Sequence, residues 1–228
     1  MAAVARRSLV NRRIVKAFHN TALLRRDAIF GSDALMPITA TDDAKTSAPG
    51  WVGAQWAQGT LLVGINPGGG GDNYRGNSSD DELYKLLRAF RDAESSESQQ
   101  LAFERMCAAW TRIQRGHNIW RVVGKIIEAT GEAENEIAFI NVLPFRTRMD
   151  KAPTSKDLQR AWDSVALPQI QALRPRRIIS LGKKAWDVMA RRDLPTESGL
   201  ILFKRGIGDS YIPQDSQKVL RTLARERE

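Results

Sequence analysis

Cysteine is nearly absent: Cys107 stands alone in 228 residues. A disulfide framework and any four-cysteine zinc or iron–sulfur site are therefore excluded. Two histidines, His19 and His117, are too few for a histidine-rich metal centre and argue against a Ser-His-Asp triad. No apolar run approaches the roughly 18 residues that a membrane-spanning helix needs. Acids are missing altogether from residues 1–26, where Arg6, Arg7, Arg12, Arg13, Lys16, Arg25 and Arg26 supply seven of the net nine positive charges. The remainder of the chain is nearly neutral. At 42% hydrophobic and 27% charged, the composition is that of a folded domain rather than a disordered one.

The basic segment carries Val10, Ile14, Ala17 and Phe18 at helical spacing, which predicts an amphipathic helix. Three readings of it stand open. It is a nucleic-acid-contacting arm, because arginine-rich arms attract phosphate. It is a helix packed on the body with a solvated outer face. Or it is a transit peptide, rich in Arg and poor in acids. Residues 31–50 are small and polar and read as a linker that wraps the body or floats. The expected organisation is a basic arm and linker over residues 1–50 and one domain over 51–228.

From residue 51 strands and helices alternate. Thr60–Ile65 is a short apolar run stopped by Asn66-Pro67-Gly68, the pattern of a buried strand. Ser79-Asp80-Asp81-Glu82 opens a helix to about Asp92. Phe103, Met106, Cys107, Trp110 and Ile113 share one helical face, and Ile119, Val122, Val123, Ile126 and Ile127 share another. Gly131 ends that second helix, and His117 is expected to cap its start. Glu136–Val142 is the next strand, Thr154–Leu173 a helix kinked at Pro168, and Arg177–Leu181 a third strand leading into Lys183–Arg191. Gly199–Lys204 and Gln214–Arg227 complete the set. Trp110, Trp120, Trp162 and Trp186 read as core. Alternating strands and helices predict an α/β fold with a mainly parallel sheet of four strands covered on both faces. Ligands of such sheets sit at the carboxyl ends of the strands.

The first of those ends is Gly64-Ile65-Asn66-Pro67-Gly68-Gly69-Gly70-Gly71. A Walker loop would need Lys-Ser/Thr after its last glycine, and Asn-Pro breaks the spacing of a dinucleotide turn. GINPG instead resembles motif A of the uracil-DNA glycosylase superfamily, in the form its mismatch-specific branch uses. Phe139-Ile140-Asn141-Val142-Leu143-Pro144 resembles the family segment whose Asn reads uracil. Leu173-Arg174-Pro175, Ile178, Leu181-Gly182 and Ala185 resemble its helix–strand–helix segment. The likeness covers about residues 58–190.

That resemblance implies a three-layer α/β/α fold with four strands in the order 2-1-3-4, counted along the chain. It implies a monofunctional enzyme that hydrolyses the N-glycosidic bond of uracil in DNA, without metal or organic cofactor. Asn66 would orient the attacking water, and Gly64, Ile65, Pro67 and Gly68 would shape the pocket. Asn141 would pair with the uracil edge, and Tyr74 would stack on the base. The family's motif B histidine is missing. Arg205 is the expected substitute, and Ser210 or nearby backbone N–H groups would clasp a phosphate. Arg146, Arg148, Lys183 and Lys184 are the expected contacts to the DNA backbone. The partner is single- or double-stranded DNA, with no membrane, and the protein is expected to be a monomer. A cytoplasmic location is expected, with the mitochondrion the alternative that the arm allows. The rival reading is a non-catalytic nucleic-acid or nucleobase-binding protein on the same fold.

Overall fold

The computed structural model describes residues 10–32, 35–36, 45–68, 78–148, 151, 153–194, 199–206 and 212–227. The helices α1 (Arg12–Ala22) and α2 (Arg26–Ile29) precede the short strand β1 (Trp51–Val52). Then follow β2 (Thr60–Gly64), α3 (Ser78–Arg91), α4 (Ser96–Gln114), α5 (Trp120–Thr130) and β3 (Ala138–Asn141). A long helix is divided into α6 (Ser155–Ala161), a π-helical stretch (Trp162–Ala166) and α7 (Leu167–Leu173). β4 (Arg177–Leu181), α8 (Lys183–Met189), β5 (Gly199–Phe203) and α9 (Gln214–Arg225) complete the order.

The protein is α/β, with one mixed sheet ordered β1-β3-β2-β4-β5. This corrects the expected four-stranded sheet in strand number, and so in its full order: a fifth strand, β1, is added at one edge, beside the four expected strands, which stand as β3-β2-β4-β5. β2, β3, β4 and β5 run parallel, whereas β1 pairs antiparallel with β3, Trp51 opposite Phe139. Two residues carry no readable alternation, so β1 exists only because its neighbours hold it. Val52 N–H donates to Cys107 Sγ at 3.4 Å, and Trp51 Nε1 donates to Gln114 Oε1 at 2.9 Å. Gly50 turns the chain into this edge at φ +94°, and a methyl there would stand 2.2 Å from the Phe139 carbonyl oxygen. Every residue of β2 and β3 is buried. Successive side chains point to opposite faces, so both faces of the sheet centre are covered.

The helical stripes form the core as their spacing predicts. Phe103, Met106, Cys107, Trp110, Ile113, Val122, Val123 and Ile126 are buried, and Ile119 and Ile127 pack against them. Trp110 and Trp162 are core, but Trp120 and Trp186 are only half-buried. The α1 stripe is core too: Ile14, Val15 and Phe18 are buried, and Phe18 meets Phe103 edge-on. For residues 12–22 the packed-helix reading therefore describes the structure. The linker wraps rather than floats at its end, where Ser47 Oγ donates to the Thr21 carbonyl at 2.6 Å and Ala48 N–H to that of Pro144 at 2.8 Å.

Two local expectations, at Glu136 and at His117, are corrected. β3 begins at Ala138, because Glu136 belongs to a 3-10 turn: its carboxylate accepts from Ala133 N–H at 2.7 Å. His117 does not cap α5, whose N-cap is Ile119. Backbone bonds from Trp120 to His117 and from Arg121 to Asn118 already satisfy the first donors. At Pro168 the helix is not interrupted. The missing N–H is absorbed in the preceding π turn, where Leu167 N–H reaches back five residues to the Trp162 carbonyl.

Candidate active site

The carboxyl ends of β2 and β3 lie side by side, with Gly64 opposite Asn141. Pairing continues past the strands: Val142 N–H donates to the Gly64 carbonyl and Leu143 N–H to that of Ile65, both at 2.9 Å. The two following loops therefore leave the sheet together. Asn141 is buried, 5% exposed, and its amide lies directly over Gly64. A methyl built on Gly64 would stand 2.4 Å from Asn141 Oδ1, a distance real side chains do not tolerate. The glycine at this position thus makes room for the neighbouring strand's amide.

Asn66, two residues beyond Gly64, is half-buried. Its Nδ2 donates to Thr147 Oγ1 at 3.3 Å and, more weakly, to the Pro67 carbonyl at 3.4 Å. A carbonyl only accepts, so the amide nitrogen faces the protein and Oδ1 is left as an acceptor. Thr147 is 4% exposed and comes from the loop after β3. The pair Asn66–Thr147 joins the two strand-end loops through side chains. Ile65 packs against the core, Pro67 is half-buried, and Gly68 is exposed with open space over it.

The loop after β3 is braced from the amino-terminal segment. Arg26 is 5% exposed; its guanidinium donates to the Arg146 carbonyl at 2.9 Å and to that of Leu35 at 2.8 Å, and lies 4.3 Å above the Phe30 ring. Arg26 was one more arm cation by sequence; neither Arg26 nor Thr147 sits in a motif that would single it out.

At the far side of the sheet, Lys204 and Arg205 part company. Lys204 turns to α9, pairing with Asp215 at 2.7 Å, and this contact holds the Asp215 carboxyl below its ordinary range. Arg205 is half-buried and leans back over β4, its Nε 3.8 Å from where a Gly182 Cβ would be. β5 is two strand spacings, about 10 Å, from β2. Arg205 covers part of that gap, over the strand between. The ends of β2 and β3 thus present two amides, and Arg205 stands beside Gly182 at the end of the next strand, β4.

The other expected residues are spread around this edge. Arg146 is half-buried with its guanidinium 5.8 Å from the Tyr84 ring, and Arg148 is half-buried. Lys183 pairs with Asp187 on its own helix at 2.7 Å, and Lys184 is exposed. Tyr74 and Ser210 lie outside the described residues, as do Gly69, Gly70 and Gly71. Cys107 is buried away from this edge, and burial pushes its thiol up to about 12. No protein-family model matches the chain, and neither does any curated protein.

Proposed function

We propose that this chain is a uracil-DNA glycosylase on a three-layer fold of that superfamily, releasing uracil and leaving an abasic site in DNA. The observation that carries the reading is the pair of amides, Asn66 and Asn141, at the carboxyl ends of neighbouring parallel strands, one seated against Gly64 and the other tethered to Thr147. Reading a uracil edge needs one donor and one acceptor side by side, and the Asn141 amide offers both to O4 and N3–H. The base must leave the helical stack to reach a recess at strand ends.

In the hydrolysis, the water oxygen bonds to C1′ while the C1′–N1 bond breaks and its electron pair leaves with uracil. The water's proton ends on the released base. Asn66 Oδ1 accepts from the water and aims it at C1′; an amide cannot take the proton, so turnover is modest. Arg205 stabilises the negative charge developing at O2, in place of the absent histidine. Water is the only co-reactant, and the step as proposed calls on no metal or organic cofactor. Arg146, Arg148, Lys183 and Lys184 contact the DNA backbone.

The deciding assay incubates the protein with a uracil-containing oligonucleotide and measures alkali-labile abasic sites. Strand breakage after alkali, absent from a thymine control, is the expected result. Tight binding without abasic sites, at any enzyme concentration, would replace this reading with a non-catalytic nucleobase-binding protein.

A further inference from the structure

A groove of about 420 Å³ runs between α1 and the start of α4, well apart from the strand-end site. Arg12, Lys16 and Asn20 line it from α1, Gln99 and Gln100 from α4, and the buried His19 from its floor; no carboxylate is among its lining residues. Arg12 and Lys16 are exposed and make no ion pair among the described residues. Other cations differ: Arg25, Arg91, Lys183 and Lys204 each hold an aspartate.

The helix that carries these two cations is fixed in place. Asn11 caps α1 by accepting from Ile14 N–H at 3.1 Å, and Ile14, Val15 and Phe18 anchor the opposite face in the core. Arg12 and Lys16 stand one turn apart, about 6 Å along the axis. His19 Nε2 donates to the Arg91 carbonyl at 3.1 Å, which fastens α1 to the end of α3. Tyr84 of α3 lies 5.8 Å from the Arg146 guanidinium in the loop after β3, Arg91 lies seven residues further along α3, and Arg12 lies seven residues from His19 along α1, so the Arg12 end of the groove is about 20 Å from that loop measured along the two helices. Duplex DNA carries phosphates every 3.4 Å on each strand, so about 20 Å corresponds to about six base pairs.

We propose that this groove holds the phosphate backbone of a duplex flank, about six base pairs from the nucleotide seated at the strand ends. The choice of duplex DNA as the anion rests on the glycosylase reading. Charge complementarity supplies the rest: two cations one turn apart with no ion pair among the described residues, amides beside them, and no carboxylate among the lining residues, the neighbouring Glu104 being held by Gln100 Nε2 at 2.7 Å.

The test compares Arg12→Gln/Lys16→Gln with a control that removes the same charge from exposed positions on α9, Lys218→Gln/Arg221→Gln. Fluorescence anisotropy gives Kd against salt for uracil-containing duplexes with flanks of about fifteen base pairs or, in hairpin form, about four. On long flanks the groove variant should lose about 1.8 from the slope of log K against log salt, about 0.9 per lost phosphate contact. Its affinity then falls about tenfold less than the wild type's from about 50 to about 200 mM salt. Short flanks and the control variant should keep the wild-type slope. An equal effect on both flank lengths, an equal effect from the control, or no effect overturns the proposal. Uracil-free duplexes and the cleavage rate at saturating enzyme separate the two readings. A groove effect without any cleavage would sink the glycosylase assignment alone; cleavage with an unaltered groove slope would sink the groove alone.

Discussion

Gly64→Ala is the substitution most directly specified by the structure. Outside this context, replacing a strand glycine with alanine would stabilise the chain slightly by reducing its unfolded freedom. Here the new methyl meets Asn141 Oδ1 at 2.4 Å, while its other close neighbours, at 3.5 and 3.6 Å, are ordinary contacts. The clash is therefore with one short, buried side chain that has little room to retreat. Overpacking of this kind costs about 1–3 kcal/mol. For a chain of this size that lowers Tm by about 4–8 °C at the middle of the range. The remedy is as specific as the damage: Asn141→Ala in the Gly64→Ala background removes the obstructing oxygen. A double-mutant cycle on urea unfolding should give a coupling of about 1–3 kcal/mol, with the double variant more stable than additivity allows. In single-turnover assays on uracil-containing DNA, Gly64→Ala should also lose about 10- to 100-fold, because a displaced amide forfeits a bidentate base contact of about 1–3 kcal/mol. A fully stable Gly64→Ala protein, or energies that add within about 0.5 kcal/mol, would refute the close approach of these two strands' residues.

Thr147→Val keeps the shape but removes the acceptor for Asn66 Nδ2; excision should slow while affinity for uracil-containing DNA stays, and Thr147→Ser should retain the rate. A fully active valine variant would show that the tether does not orient Asn66. Arg205→Ala should cut uracil release by about 10²–10³-fold with folding intact. If saturating enzyme in single-turnover assays restores the rate, Arg205 holds a phosphate and does not face the leaving base. Cys107 titrates upward on folding, from 9.0 to about 12, because burial disfavours the thiolate. Its contribution to stability is complete below pH 9 and is lost as pH rises through about 12. Urea midpoints over that window should fall more steeply for the wild type than for Cys107→Ala, and thiol reagents should label the native protein only as it unfolds.

Much of this protein was legible locally. Apolar runs bounded by Gly and Pro mark β2, β4 and β5, and the stripes of α4 and α5 mark the core, because burial on one face or both leaves its period in the sequence. GINPG and the later Asn141 could each be picked out as strand-end features. Their contact could not: it depends on β2 pairing with β3 in a register that sets Gly64 opposite Asn141, across 76 intervening residues. The same long reach hid Thr147, whose role is visible only once Asn66 arrives beside it, and Arg26, a cation like its neighbours until packing buries it under the loop after β3. β1 is too short to have a period, and of the three readings that α1 carried, only the packing of its apolar stripe became visible, once that stripe met Phe103. Local periodicity determined which segments become strands and helices; which residues stand within hydrogen-bonding distance at the carboxyl edge was decided by strand order and register, which join parts of the chain that share no local pattern.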